Sequence, residues 1–224
     1  MSNCEQCIVR RTSSLKALNE AEINVIQDCK TTHTIKRGDQ LFGEGEHLNG
    51  IFCIKAGTCK LTKLSPNGNE QIVKLISGGE LLGQRSMISG EPANLSAVAL
   101  EDMIVCSIPK NEVMPFFNKN NGFSMNVMKT ICSELKTADD HLVTMAQKPV
   151  KQRLAETLVY LYDKFGTLED GNLSIKLSRE ELAGMVGTAT ESCIRMLSDF
   201  NKAGYIQLSG KKISINREKL VKYA

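Results

Sequence analysis

Residues 178–195, SREELAGMVGTATESCIR, have the pattern of two short helices joined by a tight turn. Ser178 is a favoured N-cap residue, and Glu180 and Glu181 follow it, where the positive end of a helix favours carboxylates. Gly187 stands where the end of a helix requires a left-handed backbone conformation. The stretch therefore predicts one helix that ends just before this glycine, a turn, and a second helix.

The second helix is predicted to be amphipathic, with Thr188 or Thr190 as its N-cap. Its polar face carries Glu191 and Arg195, which are four residues apart and are therefore neighbours on the helix surface. A carboxylate accepts a hydrogen bond from cytosine N4, and a guanidinium donates two to guanine. The pair is therefore predicted to read bases in DNA; the alternative is a generic helical hairpin with a solvated ion pair. The apolar face consists of Cys193, Met196, Leu197 and Phe200.

A basic hairpin is predicted after the second helix. Residues 205–215 alternate between apolar and polar side chains and are interrupted by the turn sequence SGKK. Lys211 and Lys212 lie at its tip, where cations can contact phosphate. Further phosphate contacts are predicted for Ser178, Thr188 and Ser192. The region is therefore predicted to be a winged helix-turn-helix domain that binds double-stranded DNA.

Composition and charge agree with a two-domain protein of this kind. The chain has 224 residues, of which 42% are hydrophobic, enough for a sizeable core. Its formal net charge is +3, and residues 150–224 carry the whole excess, with 12 basic and 9 acidic side chains. This weak excess predicts salt-sensitive DNA binding that is strengthened by dimerisation.

No apolar segment approaches the length of a membrane helix, and the N-terminus lacks the apolar core of a signal peptide. We therefore predict a cytoplasmic protein without a membrane partner. The eight cysteines are scattered through strand and helix patterns, which favours reduced thiols over a disulfide framework. His33, His47 and His141 are far apart, and the sequence has no nucleophile elbow, phosphate loop or paired zinc motif. An enzyme is therefore not predicted.

Residues 36–108 consist of short alternating segments separated by glycine, proline, asparagine and aspartate. Several strands at this spacing predict an antiparallel β-roll or jelly roll. A domain of this kind can be a scaffold only, because a barrel alone does not define a ligand. Glycines stand at the expected turns: Gly38, Gly45, Gly57, Gly68, Gly78, Gly79 and Gly83.

A long helix is predicted over residues 123–147 and is ended by Pro149. At ~1.5 Å per residue, such a helix spans roughly 36 Å. Apolar side chains recur along it at intervals of three and four residues: Val127, Ile131, Leu135, Ala138, Leu142 and Met145. The stripe is predicted to be a homodimer seam, since helix-turn-helix proteins usually read paired half-sites. The alternative is that the stripe packs only on its own barrel.

These patterns together predict an α+β protein in three parts. Residues 1–118 form an N-terminal segment and a sensor domain built as an antiparallel β-roll or jelly roll. Residues 119–148 form the dimerisation helix and hinge, and residues 149–224 form the winged helix-turn-helix domain.

Nearly the whole chain resembles the Crp/Fnr family of bacterial transcription regulators. The resemblance is carried by IKRGDQLFGEGEHLNGIFCIKAGTCKLTK at residues 35–63, GGELLG at 78–83, VCSIPK at 105–110, VKQRLAETL at 150–158 and LSREELAGMVGTATESCIRML at 177–197. It implies a homodimer that reads TTGA-like half-sites of an inverted repeat with Glu191 and Arg195, responds to a small-molecule effector and contacts RNA polymerase. It also implies that Arg179 contacts phosphate. Thr190 replaces an arginine of the cyclic-AMP receptor type, so different outer bases are expected.

In the cyclic-AMP-binding members of this family, a glutamate holds the ribose and an Arg-Ser pair holds the cyclic phosphate. By resemblance these positions correspond here to Gln84, Leu95 and Ser96, with Arg85 as a substitute cation. A buried phosphate without an arginine partner is poorly compensated. The sequence therefore predicts that cyclic AMP does not bind, and it leaves the effector unknown. The pocket implied in this way consists of Gly83, Gln84, Arg85, Ser86, Leu95 and Ser96.

Other members of the family sense oxygen with an iron–sulfur cluster. Cys4 and Cys7 form a C-x-x-C motif, and Cys106 aligns with the remote cluster cysteine of the Fnr type. The third N-terminal cysteine is missing, and Ser13 stands near its place, so the ligand set is incomplete for a cluster that needs four thiolates. The alternatives are that the three cysteines are ordinary thiols and that the protein binds DNA without any ligand. The other cysteines are predicted to be core residues: Cys29, Cys53, Cys59, Cys132 and Cys193.

Overall fold

The computed structural model describes residues 4–66, 68 and 70–223. The chain divides into two compact units. The first unit comprises the chain up to Lys63 together with Val73–Thr137, and the second comprises Leu64–Ile72 and the chain from Ala138 onward. The division thus falls inside the long helix, whereas the sequence patterns place the domain boundaries after residues 118 and 148.

Two short α-helices precede the barrel. They are α1 over Ile8–Thr12 and α2 over Glu20–Cys29, with a 3-10 turn at Ser14–Ala17 between them. None of the sequence patterns described above predicts these helices. α2 begins with a capping box, in which Asn19 Oδ1 accepts from the Glu22 N–H and the Glu22 carboxylate accepts from the Asn19 N–H. The N-x-x-E spacing is the signal from which this helix could be predicted.

Eight strands of the described residues form the barrel, in two four-stranded sheets. They are β1 Thr31–Ile35, β2 Gln40–Phe42, β3 Gly50–Ala56, β4 Thr58–Leu64, β5 Glu70–Ser77, β6 Leu81–Leu82, β7 Ser96–Ala99 and β8 Met103–Pro109, and a short helix, α3, covers Gln84–Ser89. One sheet has the order β1-β8-β3-β6, and the other has the order β2-β7-β4-β5. The predicted antiparallel sheet domain is confirmed, and its first strand begins earlier than the pattern indicates.

The central strands β3 and β8 are covered on both faces. Their antiparallel register pairs Cys53 with Cys106 and Ile54 with Val105. Because side chains alternate across a strand, neighbours along the chain enter different cores. Cys53 and Cys106 pack against the helices of the unit, whereas Ile54 and Val105 pack inside the barrel. The two strands therefore separate the two cores of the first unit.

Two helices follow the barrel, α4 over Lys110–Lys119 and α5 over Asn121–Gln147. The predicted long helix is confirmed and begins two residues earlier than predicted. Phe123, in its first turn, is buried and makes edge-on ring contacts with Phe116 and Phe117 of α4. These contacts fix the start of α5 on the first unit.

The second unit has the elements of a winged helix-turn-helix domain. They are α6 Val150–Phe165, α7 Arg179–Val186, α8 Thr190–Lys202, β9 Ile206–Ser209, β10 Lys212–Ile215 and α9 Arg217–Tyr223. Leu158 of α6, Leu182 of α7 and Leu197 of α8 are buried, and α7 packs against both of the other helices. The buried Phe200 packs against the rings of Tyr205 and Tyr223. None of the helices in the described parts of the chain is long and apolar enough to span a membrane.

The apolar stripe of α5 is divided between two environments. Val127 is buried in the core of the first unit, and Ile131 packs against that core. Leu135 and Leu142 are 62% and 69% exposed, whereas Met145 is half-buried and its sulfur lies 2.8 Å from Nη1 of Arg153. The expectation of a six-residue dimer seam therefore fails for Val127 and Ile131, because the first turns of α5 use these side chains to cover the barrel.

We expect the fold to tolerate alanine better at Gly38 than at Gly57. Both have a left-handed backbone, with φ of +88° and +86°, so alanine costs each roughly 1–2 kcal/mol. A Cβ at Gly57 would also lie 2.7 Å from the carbonyl oxygen of Asp102, whereas one at Gly38 meets nothing within 4 Å. In urea unfolding, Gly57→Ala should lose at least about 1 kcal/mol more than Gly38→Ala. Equal losses would contradict the close approach of the β3–β4 turn to β8.

Candidate nucleic-acid interface

The first helix of the helix-turn-helix, α7, starts with a capping box. Ser178 Oγ accepts from the Glu181 N–H at 3.0 Å, and Glu181 Oε2 accepts from the Ser178 N–H at 2.7 Å. The serine N-cap predicted from the sequence is confirmed. Because the oxygen of Ser178 already serves as an acceptor, its hydroxyl proton is the group left for the predicted phosphate contact.

The turn between α7 and α8 has the predicted glycine but not the predicted cap. Gly187 adopts φ +69°, and its N–H donates to the Ala183 carbonyl at 2.9 Å. The N-cap of α8 is Ala189, which makes no side-chain cap hydrogen bond. The prediction of Thr188 or Thr190 as the cap was wrong, because Thr190 is already helical and Thr188 lies one position too early.

The helix α8 has one buried and one exposed face. Its buried side chains are the predicted Cys193, Met196, Leu197 and Phe200. Glu191 and Arg195 are exposed, and Ile194 beside them is 49% exposed. The sequence patterns above did not single out Ile194, although its position three residues after Glu191 already puts it on the outward side. Burial raises the pKa of the Cys193 thiol to about 11, so this thiol stays neutral and acts as an apolar core group.

The predicted wing is present as a two-stranded hairpin. Ser209 of β9 pairs with Lys212 of β10, so that Gly210 and Lys211 form a two-residue turn. Gly210 has φ +58°, the positive angle that such tight hairpin turns require. Lys211 is exposed at the tip of this hairpin.

Two of the predicted phosphate-binding cations have partners within the second unit. Arg179 is half-buried, and its Nη2 donates to the Gly210 carbonyl at 2.9 Å, which ties the start of α7 to the wing turn. Lys212 forms an exposed ion pair with Asp170 at 2.8 Å. The sequence could not indicate these contacts, because the partners are 31 and 42 residues away along the chain.

The residues of the implied effector pocket differ in their burial and in their contacts. Gly83 has φ +89°, and a Cβ there would lie 2.9 Å from the Gly50 carbonyl oxygen, so this glycine serves the close packing of strands. Ser86 is buried, Arg85 is exposed to solvent, and Ser96 Oγ accepts from the Glu44 N–H at 3.0 Å. An exposed Arg85 does not supply the buried cation that a cyclic phosphate would need. Gln84 and Leu95 are half-buried.

The three cysteines of the iron–sulfur prediction lie together in the first unit. Cys4 and Cys7 are half-buried and pack against the core that contains Cys106. Cys4, Cys7, Cys53 and Cys106 all line one cavity beside the N-terminal helices. In the described parts of the chain, no three metal-ligating side chains stand close enough to hold an ion as they are. Burial raises the pKa of the Cys53 thiol well above its usual range, and the neighbouring thiols add to this.

The remaining cysteines follow the core prediction with one exception. Cys59 and Cys193 are buried, and Cys29 packs against the core from a half-buried position. Cys132 is exposed on α5. The core prediction for Cys132 was wrong, because it lies on the side of the helix that faces away from the barrel.

Comparison with known proteins gives the same two domains. The family model for a cyclic nucleotide-binding domain matches residues 32–120. The model for a Crp-like helix-turn-helix domain matches residues 152–223. Each match covers one of the two architectures described above, the barrel with α4 and the winged domain.

Relatives match the chain from end to end. The fumarate and nitrate reduction regulatory protein of Escherichia coli (strain K12) is 26% identical over 226 residues, which cover 99% of this chain and 90% of the relative. The protein of the same name from Vibrio cholerae gives the same identity and coverage. Among solved structures, FixK2 from Bradyrhizobium japonicum has a TM-score of 0.78 at 22% identity, covering 87% of this chain and 96% of that one. A CooA mutant from Carboxydothermus hydrogenoformans has a TM-score of 0.75 at 21% identity, covering 95% of each.

A barrel joined through a long helix to a winged helix-turn-helix defines a class of DNA-binding transcription regulators, not of enzymes. Within this class, the chain belongs to the Crp/Fnr family.

The ion pair between Lys212 and Asp170 at the wing predicts that the stability of the fold depends on pH. Hydrogen bonds from Lys212 and Asn172 lower the pKa of Asp170 from 3.8 to about 2. Because the folded pKa lies below the ordinary one, the pair stabilises the fold above about pH 4 and loses this effect as pH falls toward 2. Carboxyl NMR titration should show the low pKa, and Lys212→Ala should raise it. Lys211→Ala is the control and should leave it unchanged; a pKa unaffected by Lys212→Ala would contradict the pairing.

Proposed function

We propose that the protein binds an inverted repeat in double-stranded DNA as a homodimer and that Glu191 and Arg195 read the bases. The observation that carries this proposal is the division of α8 into two faces. One face is buried in the second unit, and the other presents Glu191 and Arg195 from the first turns of the helix. In helix-turn-helix proteins, the N-terminal residues of the second helix are those that contact base edges.

The exposed Ile194 adds an apolar contact to this proposed surface. Ile194 precedes Arg195 in the sequence, and its side chain is exposed on the solvent side of α8, three residues after Glu191. An apolar side chain in the major groove is suited to the methyl group of thymine. We therefore assign Ile194 the reading of a T·A pair next to the pair read by Arg195, with Thr190 at the start of the helix toward the outer bases.

The proposed phosphate contacts surround this face. Lys211 is the exposed cation at the wing tip, and the hydroxyls of Thr188 and Ser192 flank the uncapped start of α8. Backbone N–H groups without a side-chain cap favour an anion at that end. Arg179 and Lys212 are proposed to contribute less to phosphate binding than the sequence predicts. Arg179 already donates to the Gly210 carbonyl, and Lys212 already forms an ion pair with Asp170.

The proposed dimer seam is the exposed part of α5. Met128, Leu135 and Leu142 are large apolar side chains that are more than half exposed. Together with Cys132 they recur at intervals of four, three and seven residues, which keeps them on one side of the helix. Monomeric proteins rarely expose a contiguous row of large apolar side chains to water. A second copy of α5 would cover it and would set two recognition helices on paired half-sites.

A second candidate function concerns sensing. We propose that Cys4, Cys7 and Cys106 bind an iron–sulfur or related metal centre, since all three line the same cavity. Four of the residues needed for the cyclic-AMP alternative are replaced, exposed or otherwise bonded, as described above. The barrel is therefore proposed to respond through these thiols and not through a cyclic nucleotide.

Base reading and phosphate contact predict different mutational effects. Glu191→Ala or Arg195→Ala should cost roughly 1–3 kcal/mol at the matching base pair and relax the preference there. Lys211→Ala should weaken binding to all sequences alike and lower the salt slope by about one unit. Gel-shift titrations on the selected site and on its single-base variants, at several salt concentrations, measure both effects. Unchanged base preferences in Arg195→Ala would overturn the assignment of α8 as the reading helix.

The seam predicts the oligomeric state. Leu135→Asp places a charge in the centre of the exposed row, where burial without a partner is costly. Sedimentation should show monomers, with weak binding to the inverted repeat. Thr137→Asp adds the same charge on another side of the same exposed turn and should leave the dimer intact. A Leu135→Asp protein that remains dimeric would mean that another surface joins the two copies.

A further inference from the structure

The barrel supplies a fourth thiol to the cavity that holds the three predicted cysteines. Cys53 lies on β3 directly opposite Cys106 on β8. Opposite residues of an antiparallel pair project to the same face, with Cβ atoms about 4.5–5.5 Å apart. Both side chains belong to the core on the helical side of the sheet, and both line the cavity. The sequence pattern alone gives Cys53 no role beyond a buried strand residue.

The C-x-x-C motif is held above this strand pair. The Cys7 N–H donates to the Cys4 carbonyl at 3.3 Å, which closes the motif into a turn. The Cys4 N–H donates to Gln27 Oε1 of α2 at 2.8 Å. These contacts bring two thiols from the N-terminal segment to the same cavity as two thiols from the sheet.

The charges around the cavity suit a negatively charged group. Arg10, Lys30 and Lys55 line it, and no acidic side chain of the described residues is among its lining. Lys30 Nζ lies 2.8 Å from Cys4 Sγ. Four thiolates around a dipositive metal ion or cluster carry a net charge of about −2, which nearby cations compensate. The rest of the lining is apolar, from residues such as Val9, Ile23 and Ile108.

We propose that Cys4, Cys7, Cys53 and Cys106 are the four ligands of one thiolate metal centre, in which Cys53 takes the place of the missing N-terminal cysteine. This inference rests on the proposed sensing function and completes its ligand set. Four soft thiolates in tetrahedral arrangement select an iron–sulfur cluster or zinc. Each thiol releases its proton when it binds the metal. Because the sheet fixes Cys53 and Cys106, the N-terminal pair must make the adjustment that brings all four sulfurs to the metal.

Cys29 and Cys59 provide matched controls. Cys29 packs against the same core but does not line the cavity. Cys59 is buried in the other core, inside the barrel. A metal bound non-specifically by cysteines would depend on these residues as much as on Cys53.

The test uses the full-length chain purified without oxygen and loaded in two arms, with ferrous iron plus sulfide or with zinc alone. Metal and sulfide per chain are measured after gel filtration, together with visible absorption. Cys53→Ser and Cys106→Ser should each lower metal retention at least about tenfold, since even loss of an outer-shell partner costs 10–100-fold. Cys29→Ser and Cys59→Ser should retain metal like the parent. Far-UV circular dichroism and a Cys53→Ala variant separate loss of a ligand from loss of fold.

The outcomes are distinct. Retention of iron and sulfide supports the centre as a cluster, and retention of zinc alone supports it as a zinc site and rejects iron–sulfur sensing. Full retention by folded Cys53→Ser, or no metal on the parent chain in either arm, overturns the inference. Gel shifts on the same samples keep the DNA proposal separate, because a chain that reads its inverted repeat but holds no metal contradicts only the metal centre.

Discussion

The pairing of β3 with β8 is the constraint on which the first unit depends. Both strands are covered on two faces, so their register decides which side chains enter the barrel and which meet the helices. If the pairing slipped by one residue, Ile54 and Val105 would face the helices, and Cys53 and Cys106 would face the inside of the barrel. The burial of apolar side chains in both cores therefore fixes the positions of the Cys53 and Cys106 thiols. Their location beside α1 and α2 follows from this packing alone.

In the second unit, the buried face of α8 likewise determines which side chains are exposed. The burial of Cys193, Leu197 and Phe200 fixes the rotation of α8, and this leaves Glu191, Ile194 and Arg195 outward. The wing is held to the start of α7 by the bond from Arg179 to the Gly210 carbonyl. The core and one arginine thus hold in place the surface that we propose for DNA. Specific recognition depends on this rigidity, because base edges are read by hydrogen bonds with narrow geometric tolerance.

Periodicity, turn residues and the cap of α7 are sufficient to predict the barrel, α5, α7, α8 and the wing, although the cap of α8 is not the predicted one. The signals for these elements lie in the local sequence, such as Ser178 and Gly187 at the two ends of α7. The sequence was insufficient where the partner is distant along the chain. The pairing of Lys212 with Asp170 and the burial of Val127 against the barrel depend on tertiary contacts that no local pattern contains. The apolar stripe on α5 is visible in the sequence, but a period alone cannot distinguish a dimer seam from a face that covers its own core.

Cys53 shows why a core assignment and a ligand assignment do not exclude each other. An alternating strand pattern predicts that this side chain is buried, and it is. Burial keeps an unliganded thiol neutral, which is the form that packs best in an apolar core. A metal reverses this preference because its charge compensates the thiolate where water cannot reach. The same position can therefore serve as packing without metal and as a ligand with metal. The apolar lining that hides this role from sequence analysis is also what would shield a metal centre from solvent.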